Sequence, residues 1–128
     1  MRMTRNTTQR EAVLKTVRLL DHPTADEVYD EVSKHHETIS RGTVYRNLAV
    51  LSDEGRLRKI GEASGAARYD WNMVNHYHVQ CRCCGKIFDV SLPYLDRLEE
   101  QIPDAKEFII EGHEIVFTGI CPECKKEI

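Results

Sequence analysis

The chain has no apolar run approaching the roughly 20 residues that a membrane-spanning helix needs, and no membrane partner is expected. Its first residues, MRMTRNTTQ, carry arginines with no apolar core behind them, so no secretory signal is expected. The expected compartment is cytosolic and reducing, where paired cysteines hold metal more often than they form disulfides. No internal repeat or low-complexity tract interrupts the 128 residues, a length that suits one ordinary domain or two small ones. A basic excess is missing too. The net charge is −3, with 41% hydrophobic and 30% charged residues, the balance of a soluble globular protein. The charge is unevenly spread: residues 1–60 carry 11 Lys and Arg against 9 Asp and Glu, and residues 61–128 carry 7 against 12. A nucleic-acid partner is therefore expected to meet the N-terminal half.

What is present begins with three helical patterns. Thr8-Gln9-Arg10-Glu11 fits a capping box, followed by Val13, Leu14, Val17 and Leu20 on one face. Asp21-His22-Pro23 ends that helix, and Thr24-Ala25-Asp26-Glu27 is a second capping box opening a helix with Ala25, Val28, Tyr29 and Val32 inward. Ser40 is an N-cap for a third helix running to about Asp53, with Val44, Leu48 and Leu51 inward and Gly55 as its stop. Helix, short turn, helix is a helix-turn-helix pattern. The third helix would be the reader. With its N-cap Ser40, it offers Arg41, Thr43, Tyr45, Arg46 and Asn47 outward, types that contact phosphates, base edges or thymine methyls. Leu57 and Ile60, then Tyr69 and Trp71, flank a turn around Ser64-Gly65, which predicts a hairpin wing made basic by Arg56, Arg58, Lys59 and Arg68.

Beyond a connector at 72–75, His76 to Cys81 alternates as a strand that places His76, His78 and Gln80 on one side. Lys86–Ser91 predicts a second strand, and Ser91-Leu92-Pro93 the start of a helix with Leu95, Leu98 and Ile102 inward. Glu107–Ile110 and Glu114–Ile120 read as further strands, so this half is α+β with edges open to pairing with another copy.

Two kinds of metal ligand lie in this half. Cys81-x-x-Cys84 and Cys121-x-x-Cys124, separated by 36 residues, are two tight knuckles that complete a tetrahedral four-thiolate zinc site. Such a site has no open position, so the zinc is structural. A redox reading of the C-x-x-C pairs lacks a thioredoxin-like βαβ context. Cys83 is too close to Cys81 for a shared bite and is read as a non-ligand. His76-x-His78 beside Asp70 and Asp89 is a nitrogen and oxygen set, open both to a surface reading and to a divalent site favouring iron, manganese or zinc over copper(I).

Together, His22-Pro-Thr-Ala-Asp, Ser40-x-x-Thr-Val-Tyr-Arg-Asn-Leu, Arg68-Tyr-Asp70, His76-x-His78-x-x-Cys81-x-x-Cys84-Gly and Gly119-x-Cys121-x-x-Cys124 resemble the ferric uptake regulator family across essentially the whole chain. The resemblance implies a winged-helix DNA-binding domain, residues 1–69, hinged to a metal-binding α/β dimerisation domain, residues 70–128. It is closest to the peroxide-sensing branch, whose regulatory iron or manganese site would use His22, Asp70, His76, His78 and Asp89, with aspartates where iron sensors usually carry glutamates. It also implies that His22 or His76 is the imidazole oxidised by peroxide. Iron-uptake sensors often have a further site, whose places here are Asn75, Tyr77, Asp96 and His113; His113 is read as structural or solvent-facing. Family members usually carry another helix before the one at Thr8, for which Arg2 and Arg5 offer only a basic arm.

The function expected is a repressor that binds double-stranded operator DNA as a homodimer when metal-loaded and leaves it when a ligand histidine is oxidised. The alternatives are an iron- or zinc-level sensor of the same architecture and, from another class, a zinc-ribbon interaction module that does not bind DNA. A metalloenzyme is disfavoured, because no acid, base or nucleophile constellation stands apart from the ligands.

Overall fold

The computed structural model describes residues 4–61 and 66–128. The expected wing turn at Ser64-Gly65 and the arm residue Arg2 lie outside them. The chain forms two compact units, one ending at Val74 and the other beginning at Asn75.

The first unit is built on three helices, α1 (Arg5–Leu19), α2 (Ala25–Val32) and α3 (Arg41–Asp53). Helix α1 begins a turn earlier than the Thr8 pattern predicts. Thr4 caps it, accepting from the Thr7 N–H at 3.1 Å, while the Thr8 hydroxyl donates back to the Thr4 carbonyl at 3.0 Å. A threonine inside a helix satisfies its hydroxyl on the carbonyl four residues back, so the pattern at Thr8 does not mark a start. The Thr24 capping box forms in full, with reciprocal bonds between Thr24 and Glu27, and Ser40 caps α3. Gly55 adopts the left-handed conformation at φ 74°, which lets the Arg56 N–H donate to the Leu51 carbonyl at 2.9 Å and closes α3.

The apolar stripes of the three helices meet in one core of Val13, Leu14, Val17, Val28, Val32, Val44, Leu48 and Leu51, joined by Ile39, Leu57 and Tyr69. Strands β1 (Arg58–Ile60) and β2 (Arg68–Asp70) pair antiparallel, with Arg58 opposite Asp70. Strand β2 also holds the loop after α1: Thr24 bridges Arg68, and the Tyr69 N–H donates to the Pro23 carbonyl at 2.9 Å.

The second unit is a three-stranded sheet in the order β4-β3-β5. Strands β3 (Tyr77–Cys81) and β4 (Ile87–Val90) are antiparallel, and β5 (Val116–Gly119) runs parallel to β3. A short helix, α4 (Pro122–Lys125), follows β5. Two expectations are corrected here. The segment after Pro93 forms only a short 3₁₀ turn at Leu98–Gln101 that buries no residue, and Leu95 and Ile102 are exposed. The Glu107–Ile110 segment pairs with no strand among the described residues, and Phe108 and Ile109 face out. An amphipathic helix owes most of its stability to the surface its apolar face packs on, and a strand to its ladder partner; this unit offers neither to those segments.

Candidate metal centres and nucleic-acid interface

Parallel pairing of β3 with β5 places Cys81 opposite Gly119, so the knuckle after β3 meets the one after β5. Gly85, at φ 79°, lets the first knuckle turn, and its N–H donates to the Cys81 carbonyl at 2.9 Å. The four sulfurs of Cys81, Cys84, Cys121 and Cys124 all lie within 4.8 Å of one another. A tetrahedron of Zn–S bonds of about 2.3 Å has its sulfurs about 3.8 Å apart. The Cys84 and Cys121 sulfurs stand 3.8 Å apart. The Cys81 sulfur accepts N–H groups from Cys121, Cys83 and Cys84 at 3.3, 3.4 and 3.5 Å. These amides, Cys121 first and then Cys84, pull its thiol down to about 5, while the sulfurs around Cys124, Cys121 foremost, push that thiol up. Four sulfurs gathered at this spacing, one of them accepting three backbone N–H groups, suit a structural zinc. Cys83 is exposed and outside the cluster.

The first unit carries the pair His22 and Asp70. His22 has a left-handed backbone, φ 46°, an uncommon conformation for a residue with a Cβ. The Arg68 guanidinium helps hold it, donating to the His22 carbonyl at 2.9 Å and to Glu27 at 3.1 Å. The buried imidazole is gripped at Nδ1 by Asp21 at 2.6 Å, and its Nε2 stands 3.4 Å from the buried Asp70 carboxylate. A carboxylate on one imidazole nitrogen fixes the tautomer and leaves the other nitrogen as a ligand atom.

The second unit carries His76, His78 and Asp89. His76, just before β3, and His78 within it bring their rings to 4.4 Å of each other, and the ladder places Asp89 opposite His78. Asp89 Oδ1 lies 3.1 Å from His76 Nε2 and 3.4 Å from His78 Nε2. Imidazole and carboxylate donors aimed at one another form a set for a divalent iron or manganese ion. His113 takes a structural place: its ring pairs with Glu99 and meets the buried Tyr77 hydroxyl at 2.6 Å. Tyr77 thereby fills one of the places of the further site named above.

On α3, the Ser40 hydroxyl accepts the Thr43 N–H at 3.1 Å and Arg46 donates to the Thr43 hydroxyl at 3.3 Å. Arg41 and Tyr45 are exposed and converge on Asp26. Asn47 does not face outward as expected. It is buried and accepts from Arg10 Nε at 3.3 Å, because positions 44, 47, 48 and 51 share the inward face. Arg68 and Arg56 also depart from their reading as wing charge: Arg68 is mostly buried under the His22 loop, and Arg56 makes a two-point ion pair with Glu11. Asp21, Asp26 and Arg10 are functional candidates that sequence reasoning passed over. Asp21 carried a signal, adjacency to His22; the other two act through partners far away in the chain.

Residues 2–118 match the model of the ferric uptake regulator family. The chain belongs to the ferric uptake regulator family. It is 38% identical over 124 residues to the peroxide-responsive repressor PerR of Staphylococcus epidermidis, covering 96% of this chain and 83% of that one. Among solved structures it is similar to the Campylobacter jejuni peroxide stress regulator, with a TM-score of 0.77 and 31% identity, covering 93% of this chain and 90% of that one. The ferric uptake regulator Fur of Helicobacter pylori shares the fold, at a TM-score of 0.77 and 23% identity, covering 94% and 82%. The α+β class expected from the sequence is thus the fold of this family, and the four-cysteine cluster is present. No helix among the described residues is long and apolar enough to cross a membrane.

Proposed function

We propose that this chain is a metal-dependent transcriptional repressor that senses peroxide and is not an enzyme. The first unit, with α3 as reader and β1–β2 as wing, binds double-stranded operator DNA through Ser40, Arg41, Thr43, Tyr45 and Arg46. Asn47 acts there through Arg10. The second unit dimerises, covering the exposed Phe108, Ile109, Leu95 and Ile102 with a second copy. Cys81, Cys84, Cys121 and Cys124 hold a structural zinc. His22 and Asp70 from one unit, with His76, His78 and Asp89 from the other, hold the regulatory iron or manganese.

The observation that carries this reading is a donor set of imidazoles and aspartates, with Asp89 Oδ1 near both His76 and His78. The peroxide-responsive relative at 38% identity supports it. Ligands drawn from both units fasten them at one angle, and a fixed angle sets the spacing of two reading helices in a dimer, which DNA half-sites require. Moving a mostly open population to a mostly closed one takes a differential affinity of about 5 kcal/mol, within reach of several coordination bonds. Asp21 keeps the His22 ring aligned. Ferrous iron held by these residues would reduce peroxide, and the peroxide-derived oxidant so formed would place oxygen on His22 or His76; manganese(II) in the same place would resist that reaction. An oxidised imidazole ligates poorly, and the clamp opens.

The test is anaerobic loading with iron(II) or manganese(II), peroxide treatment, peptide mass spectrometry and a mobility-shift assay. The expected result is added oxygen on His22 or His76 with iron only, together with loss of DNA binding. Unmodified histidines with metal-dependent DNA binding would instead make the protein a metal-level sensor.

A further inference from the structure

Helix α3 presents Arg41 and Tyr45 one turn apart, and both are tied to a single carboxylate oxygen, Asp26 Oδ1, in the first turn of α2. Arg41 also lies over the Tyr29 ring, 4.5 Å from its centroid. An exposed arginine that ought to be one of the freest side chains on the surface is thus held on two sides. A cavity of about 350 Å³ opens beside this group, and Asp26, Tyr45 and Lys59 of β1 are among the residues that line it.

We propose that Asp26 is a positioning residue for sequence-specific DNA recognition. This rests on the reading of α3 as the DNA reader. A loose Arg41 is drawn to any phosphate, a contact that carries no sequence information and dominates non-specific binding. The Asp26 carboxylate competes for that guanidinium and stands where an approaching phosphate would be repelled. The same contact fixes the guanidinium plane, so its remaining N–H groups can donate to a base edge only in one geometry. The Tyr45 hydroxyl donates to Asp26, which leaves its oxygen as an acceptor for the exocyclic amino group of adenine or cytosine. Asp26 therefore weakens generic contacts and strengthens directed ones.

The experiment uses the full chain loaded with zinc and manganese(II). Its probes are the tightest duplex that the wild-type protein selects from a randomised pool and a scrambled duplex of the same composition. Asp26→Asn is expected to raise affinity for the scrambled duplex by up to about fivefold, the worth of an exposed ion pair. It should steepen the salt dependence there by about 0.9 in log–log slope, one added phosphate contact. Affinity for the selected duplex falls, so the ratio of the two collapses. Asp26→Glu, which keeps the charge, returns the ratio toward wild type. An unchanged ratio in Asp26→Asn overturns the proposal, as does an equal fall in both variants, which would mark a packing role. A wild-type protein that selects no duplex overturns the DNA reading itself, and the proposal with it.

Discussion

Replacing Asp21 tests the regulatory site without touching any proposed ligand. Its carboxylate grips His22 Nδ1 at 2.6 Å, leaving Nε2 3.4 Å from Asp70. Loss of such an outer partner typically weakens metal binding about 10–100-fold, roughly 1.4–2.7 kcal/mol. Asp21 is 81% exposed, so water screens its charge and the low end applies. The left-handed backbone of His22 and the Arg68 bond to its carbonyl also persist in the variant and retain part of the ring's placement. Asp21→Ala is therefore expected to weaken manganese(II) affinity about tenfold, and Asp21→Asn, which keeps an acceptor for the Nδ1 proton, less. The assay is competition with a fluorescent chelator, with zinc content measured in parallel and His22→Ala as the reference for full loss of the ligand. Wild-type affinity in Asp21→Ala beside a large loss in His22→Ala would refute the orienting role. Equal affinity in all three would remove His22 from the site.

Three further outcomes follow from other contacts. Cys81→Ser replaces the sulfur that accepts three backbone N–H groups, and should abolish zinc binding and unfold the second unit while the helices of the first persist; zinc stoichiometry and residue-resolved hydrogen exchange read this, and a variant that keeps its zinc contradicts it. Tyr77→Phe removes a fully buried hydroxyl that accepts the Leu95 N–H at 2.9 Å and meets His113, and should cost about 1–3 kcal/mol in urea denaturation of the zinc-loaded protein. Burial pushes the Glu27 carboxyl up, but the Thr24 amide and hydroxyl and the Arg68 charge outweigh it and leave the carboxyl below its ordinary value of 4.5. A depressed folded value contributes stability above the unfolded value, lost as pH falls through the folded one. Denaturation of Glu27→Gln between neutral and acid pH should accordingly show a shallower acid loss than wild type, and parallel curves would exclude the contribution.

Much of the fold was legible because it rests on local signals. The Thr24 box and the Ser40 cap each satisfy helix-end amides with a side chain a few residues away, and the inward stripe of α3 repeats at the helical period. Failures fell where a local pattern had a second physical use. Thr8 bonds backward inside α1, and Asn47 shares the inward face of α3 although its residue type suits base contact. Arg68 reads as wing charge in one dimension and is a nearly buried strut in three. The apolar residues at 95, 98, 102 and 108–110 have helical or strand-like spacing, but their unit has no surface to cover them.

By itself the sequence determined the chemistry: which sulfurs, imidazoles and carboxylates exist, the bite of each C-x-x-C knuckle, and the alternation that sets His76 and His78 on one side of a strand. Ligand type and short spacing are properties of adjacent residues, so they are fixed before any tertiary contact forms. Tertiary structure alone decided what depends on contacts between distant segments. The parallel pairing of β3 with β5 sets the two knuckles against each other, and the β3–β4 register places Asp89 at both imidazoles. The β2 strand carries Asp70 to His22, and Asp26 reaches across from α2 to Arg41 and Tyr45. Each of these joins groups far apart in the chain, and only the burial of a shared core fixes such meetings.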